Sequence, residues 1–195
     1  MQKKKHLKWW DNNNGIENKN LDHWLSTSDS SSRENLYKII NSINAKSVLE
    51  CGPGTFIDYK NFFCKFDDIK YSAVDITNSI VDHGQKNGID IKLNSIESID
   101  HKDNEFDVVY CRHVLEHQDD YKSSIKEMIR VSRKTVLVIF WLISDNEDDC
   151  IKYDDRENLY HNTYSKSKIN DFISSLGYSF DWFQCEKDHI LRIDL

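Results

Sequence analysis

The stretch SVLECGPGTF, residues 47–56, decides how this chain is read. Small and apolar residues lead into Gly52-Pro53-Gly54, with one acid, Glu50, just before the glycines. Such a run reads as a buried strand ending in a tight turn, where glycine lets a ligand approach the backbone with no side chain in the way. Phosphates are the usual guests of these turns, yet a carboxylate at the mouth repels a pyrophosphate. The stretch therefore calls for a ligand that is cationic or rich in hydroxyls.

Outward from this stretch, strands and helices alternate. Upstream, Ser31-x-x-Glu34 has the form of a capping box, and Leu36, Ile39, Ile40 and Ile43 follow at helical spacing. Downstream, YSAVDI (71–76), IDIKL (89–93), FDVVYC (106–111) and TVLVIFWLI (135–143) read as strands with helical stretches between them. The apolar run VLVIFWLI is too short to cross a bilayer and reads as a strand buried on both faces. Ile169, Phe172, Ile173 and Leu176 mark a last helix that Gly177 ends, and YSFDWFQ and HILRI close the chain as a hairpin. This order predicts an α/β fold, a Rossmann-like doubly wound and mostly parallel sheet with helices on both faces. Residues 31–195 read as one domain; residues 1–30, polar with Trp9, Trp10 and Trp24, are expected to form an N-terminal segment acting as a substrate lid.

The bulk composition narrows the partners. A net charge of −7 argues against nucleic acid bound through its phosphates. The basic start MQKKKHLK has no apolar stretch behind it, so no secretory leader and no membrane association are expected. Five cysteines without a CxxC pair suit a reducing, cytoplasmic compartment and carry no metal signature.

Parallel sheets of this kind bind ligands at the carboxyl ends of their central strands. Glu50, Gly52 and Gly54 end the first strand, and Asp75 ends the second, where an acid takes the two hydroxyls of a ribose. Ile76 beside it offers a wall for a purine. A nicotinamide dinucleotide is the competing guest, but its fingerprint wants a third small residue where Ile57 stands. The ligand expected is an adenosine without phosphates.

Here ECGPGTF resembles the first motif of the class I S-adenosylmethionine-dependent methyltransferases, and DNEFDVVYCRHVLEH (103–117) resembles the fourth-strand segment of their small-molecule, type 11 branch. The resemblance runs over residues 33–195. It implies a seven-stranded sheet whose antiparallel C-terminal strand lies beside the fifth, with S-adenosyl-L-methionine as cofactor and S-adenosyl-L-homocysteine as product. Carried over by position, it puts Glu50, Gly52 and Gly54 at the methionine end, Asp75 on the ribose and Ile76, Ser95 and Ile96 at the adenine. Cys111, Arg112 and His113 would line the methionine side.

Methyl transfer is an in-line displacement that needs a base only to take the acceptor's proton. His113 is the first candidate for that base, with His161 and Tyr164 of NLYHNTYS as the second ones, while His117 is read as orienting the turn. The chain lacks the Pro-Pro-aromatic and Pro-Cys motifs of base-methylating enzymes, having Pro53 alone. The expected acceptor is a small molecule methylated on oxygen or nitrogen, a sugar or nucleotide-sugar first. A catalytically inactive, methyltransferase-like binding or regulatory protein is the alternative.

Overall fold

The computed structural model describes residues 30–65, 68–156 and 159–195. The expected lid falls on residues outside this set. Seven strands form one sheet: β1 (Ser47–Cys51), β2 (Lys70–Asp75), β3 (Ile91–Leu93), β4 (Phe106–Arg112), β5 (Ser132–Phe140), β10 (Ser179–Cys185) and β11 (Asp188–Asp194). Their order is β10-β11-β5-β4-β1-β2-β3. β11 runs antiparallel between β5 and β10, and the pairs among β1 to β5 are parallel. The chain therefore turns back at β1 and β4, the switch point at which doubly wound sheets open a crevice. Between β5 and the last helix, β6 (Ile143–Ser144) pairs with β9 (Tyr164–Ser165) and β7 (Tyr153–Asp154) with β8 (Leu159–Tyr160).

Side-chain alternation along the strands builds two cores, one per face. Helices α1 (Ser30–Ser42), α2 (Ile57–Asn61) and α3 (Asn78–Lys86) cover one face, where Leu36, Ile40, Phe56 and Ile80 meet Val48, Val108 and Leu137. Helices α4 (Lys122–Val131) and α5 (Lys166–Ser175) cover the other, where Ile125, Met128 and Ile169 meet Leu49, Val109 and Val136. Two local expectations shift. Ser31 lies inside α1 rather than at its cap, and β5 ends at Phe140, so Trp141 to Ile143 turn out of the sheet. Among the described residues, no helix is long and apolar enough to cross a membrane.

Two buried carboxyls tie down opposite ends of the sheet by different means. Asp107 accepts the Lys46 amide at 2.7 Å and meets Arg133 at 2.5 Å and Lys134 at 3.2 Å. Burial raises its pKa, but that amide and those cations outweigh burial and leave it below the ordinary value. Glu116, 0% exposed, has no such cation. Its Oε1 accepts the Trp141 amide at 2.8 Å, its carbonyl accepts the Asn162 amide at 2.9 Å, and its Oε2 meets no hydrogen-bond partner among the described residues. Burial pushes it up to about 8, so it holds a proton at neutral pH.

Two expected outcomes follow from this packing. A Cβ at Gly84 of α3 would lie 2.7 Å from Ile91 Cγ2 and 2.8 Å from Phe56 Cζ, both in the core. Gly84→Ala should therefore destabilise the fold by about 1–3 kcal/mol through overpacking, against a helix-propensity gain of about 1 kcal/mol, read as a lower urea midpoint. For Glu116 the folded pKa lies above the unfolded one, so the folded chain binds more protons between about 4.5 and 8. Stability should fall as pH rises through that window, and Glu116→Gln should flatten the slope in a series of melting curves.

Candidate active site

One cavity of about 530 Å³ opens at the carboxyl ends of β1, β2, β3 and β4. Register brings these ends level, since Cys51 stands opposite both Val74 of β2 and Cys111 of β4. The chain then turns sharply. Gly52 has φ 76° and donates its amide to the Val74 carbonyl at 2.8 Å, and Gly54 has φ 55°. A Cβ on Gly52 would stand 2.7 Å from Val114 Cγ2, so both conformation and space demand glycine there.

Asp75 closes β2 on the same wall. Its Oδ1 accepts the Thr77 amide at 2.9 Å. Burial raises this carboxyl to about 6, with Thr77 and the amides of Ile76 and Gly54 pulling the other way. The Asp75 carbonyl takes the Asn94 amide at 2.8 Å, which carries the loop after β3 to the cavity. On that loop the Ser95 hydroxyl accepts the Glu97 amide at 3.2 Å. Glu50, Gly52, Gly54, Asp75, Ile76, Ser95 and Ile96 thus line one cavity, as the sequence predicts.

Glu50 corrects an expectation about its charge. It is 3% exposed, and Tyr71 donates its hydroxyl to Oε2 at 2.5 Å. Arg33 of α1 is paired with Asp58 of α2, which also accepts the Tyr37 hydroxyl at 2.8 Å. Burial first, and the nearby Asp58 second, push Glu50 up to about 8. The mouth of the glycine turn is thus a carboxyl pushed towards its protonated form rather than an open carboxylate. Arg33 and Asp58 line the cavity and escaped the sequence reading. The available signal was Arg33 standing in line with Leu36 and Ile40 on the inward stripe of α1.

The other side of the cavity carries imidazoles and aromatics. His113 has φ 56°, and its Nδ1 lies 3.3 Å from Arg112 Nη1. A guanidinium only donates, so Nδ1 accepts and the ring proton sits on Nε2, which lies 3.0 Å from Asp188 Oδ2 but off the line of a well-aligned bond. Asp188 also takes Ser32 Oγ at 2.6 Å and Arg112 Nη2 at 2.8 Å. Burial lowers the His113 pKa, and the gain from Asp188 does not restore it. Nδ1 is thus engaged by Arg112, while Nε2 faces the Asp188 carboxylate without an aligned bond. His117 differs: its Nδ1 lies 2.8 Å from the Tyr160 carbonyl, which only accepts. Nδ1 therefore carries a proton, and in the neutral ring the lone pair is on Nε2. The His161 ring stands nearly perpendicular to it at 5.7 Å, and Trp141 lies 6.2 Å from His113.

Two expected site residues do not line the cavity. Tyr164 is 1% exposed, and its hydroxyl lies 3.0 Å from the Leu115 carbonyl and 2.8 Å from the Gln118 carbonyl, with Asn162 Nδ2 at 3.0 Å. Burial raises its pKa far above that of a general base; it braces the turn after β4. Cys111 packs in the core with Leu49 and Val138, because strand alternation sends it to the face opposite Arg112. Among the described residues no group of three side chains is placed to hold a metal.

Comparison with known proteins agrees with this geometry. No curated protein matches the chain by sequence. By structure it is similar to a Burkholderia thailandensis 1,6-didemethyltoxoflavin-N1-methyltransferase, determined with its substrate and S-adenosylhomocysteine, at 13% identity and TM-score 0.72, covering 96% of this chain and 87% of that one. It is also similar to an S-adenosylmethionine-dependent methyltransferase from Thermotoga maritima, at 15% identity and TM-score 0.68, covering 95% and 99%. The [4+2]-cyclase SpnF matches at 12% identity and TM-score 0.63, covering 83% and 80%. Residues 49–140, which hold the glycine turn, Asp75 and the whole of β4, match the family model described as a methyltransferase domain. That match sits on a sheet ordered 3-2-1-4-5 and closed by one antiparallel strand, so residues 49–140 match a methyltransferase domain within the fold shared with the S-adenosylmethionine-dependent methyltransferases.

Proposed function

We propose that this chain methylates an oxygen or nitrogen of a small molecule. The observation that carries the reading is the single cavity joining Glu50, Gly52, Gly54 and Asp75 on one side to His117, Trp141 and His161 on the other. The first group suits a methyl donor. Glycine backbone without side chains admits its methionine end, Asp75 accepts from ribose hydroxyls, and Ile76, Ser95 and Ile96 flank the adenine. Thr55 lines the same cavity, and its buried hydroxyl has no hydrogen-bond partner among the described residues, so a polar group of a ligand would satisfy it.

When bound, S-adenosylmethionine supplies a methyl group on a sulfonium whose charge is lost on transfer. The protein's task is then to align the acceptor and receive its proton. His117 is the side chain assigned to that proton, because it lines the cavity and its Nδ1–H donates to the Tyr160 carbonyl, which puts the lone pair of the neutral ring on Nε2. His161 beside it orients the acceptor, and His113, held by Arg112 and Asp188, shapes the wall. Trp141 and Tyr160 flanked by Gln118 and Asp119 suit a ring bearing hydroxyls or amines, a sugar or nucleotide-sugar among them. The similarity to a cyclase on the same fold keeps a second reading in play, in which a donor-like ligand is bound without methyl transfer.

Thermal shift tests the donor site that both readings share. S-adenosylhomocysteine should raise the melting temperature and NAD should not; stabilisation by NAD alone would overturn the cofactor assignment. Asp75→Ala should weaken S-adenosylhomocysteine by about 1.5–3 kcal/mol, the value of a hydrogen bond to a charged group. In a panel of sugars, nucleotide-sugars and amines, His117→Gln should cut methyl transfer by about 10²–10⁴-fold while leaving the S-adenosylhomocysteine Kd unmoved. A panel in which the wild type binds the donor but methylates nothing would favour the second reading.

A further inference from the structure

The acceptor side of the cavity is assembled from two stretches that lie far apart in sequence. His117 and Gln118 come from the turn after β4, and Tyr160 and His161 from the end of β8 and the residue beyond it. The two stretches meet over Asn162, which does not line the cavity and is 0% exposed. Its main-chain amide donates to the Glu116 carbonyl at 2.9 Å. Its Oδ1 accepts the Lys152 amide at 2.9 Å, and the Lys152 carbonyl in turn takes the His161 amide at 2.8 Å. On the other arm, its Nδ2 donates to the Gln118 carbonyl and to the Tyr164 hydroxyl. A side-chain amide offers an acceptor on one arm and two protons on the other, so a backbone donor and a backbone acceptor together dictate its orientation. An apolar group of the same size makes neither bond.

The consequence reaches His117. Asn162 grips the turn at Glu116 and at Gln118, and between those two points the Tyr160 carbonyl stands 2.8 Å from Nδ1 of His117. That carbonyl belongs to a residue two before Asn162, so it keeps its place only while the two stretches keep their spacing. We propose that Asn162 is the positioning residue of the acceptor wall: by tying the Lys152 and His161 backbone to the turn after β4, it holds the Tyr160 carbonyl against His117 and keeps the ring proton on Nδ1. The hydrogen bond made by one ring nitrogen sets the state of the other. Without that carbonyl a neutral imidazole favours the Nε2–H form, and the lone pair that would receive an acceptor's proton leaves Nε2. Asn162 thereby sets both the tautomer of His117 and the placing of His161 beside it, from outside the cavity. This inference rests on the role proposed above for His117, yet the tautomer is read without any acceptor.

Heteronuclear NMR of protein labelled in its histidine nitrogens shows the tautomer directly, at a pH where the rings are neutral. The chain has 8 histidines, and the His117 signals are those missing from His117→Gln. The wild type should carry the His117 proton on Nδ1. Asn162→Leu, which keeps the volume and removes the amide, should move that proton to Nε2. It should also cut methyl transfer by about 10²-fold through misplacement, with the S-adenosylhomocysteine Kd unmoved. Asn162→Ser, too short to span Lys152 and Gln118, serves if the first variant fails to fold. Tyr164→Phe leaves Asn162 bonded to both backbones and should keep the Nδ1–H form, as should Gly84→Ala, which is destabilised in the other core. A His117 still protonated on Nδ1 in the Asn162 variants would overturn the inference. So would the same proton shift in Gly84→Ala, since loss of stability alone would then explain it, or in Tyr164→Phe, which would pass the role to the hydroxyl. A wild-type ring protonated on Nε2 would overturn the inference and the base role of His117 together. Methyl transfer at the wild-type rate by His117→Gln would sink the base role alone and leave the tautomer test of Asn162 standing.

Discussion

Everything at the working end of this protein depends on β1 and β4 ending level, with Cys51 opposite Cys111. From that register the two chains diverge, one into Gly52 and the other into Arg112, His113 and Val114. The turns then pass so close that Val114 Cγ2 occupies the space a Cβ on Gly52 would need. Two features hold the approach. Gly52 takes φ 76° and bonds across to β2, and His113 takes φ 56° while its amide bonds to Ile139 of β5 at 2.9 Å. A left-handed histidine is costly, and it persists because neighbours on both sides over-determine it. The crevice is a consequence of topology, and its walls are a consequence of this one close contact.

Charge inside the molecule follows a simple contrast. Asp107 is met by cations and stays below its ordinary pKa, whereas Glu50 and Glu116 are buried without a cation of their own and hold protons. Asp107 lies shallower beside its cations while the other two are deeply enclosed, so depth and partner act together. Glu116 uses its position structurally, joining the turn after β4 to Trp141 and Asn162 beside the cavity. Glu50 uses its position on the ligand side.

Asp188 joins parts of the chain that are far apart in sequence. It gathers Ser32 of α1, Arg112 at the end of β4 and His113 around one carboxylate at the start of β11. Burial raises this acid, but the hydrogen bond and charge of His113, with Ser32 and Arg112, outweigh burial and keep it low. The antiparallel last strand thereby does more than close the sheet. It also places a carboxylate 3.0 Å from Nε2 of His113 on the cavity wall.

The amino-acid sequence by itself determined the elements and their order, because the periods of 2 and 3.6 and the demand for glycine in a left-handed turn are local properties. SVLEC, the glycine turn, Asp75 and the final hairpin were all legible on those grounds, whereas Ser95 and Ile96 were placed at the cavity only by the family resemblance. Only the tertiary structure raised the pKa of Glu50, by burial first and by Asp58 eight residues away second, with Arg33 pulling the other way. It likewise buried Tyr164 under Asn162 and two carbonyls, turned Cys111 to the core face, and gave His117 its partner at Tyr160. The physical reason is common to these cases: a side chain's charge and reach are set by neighbours brought in through space, and local pattern carries no record of them.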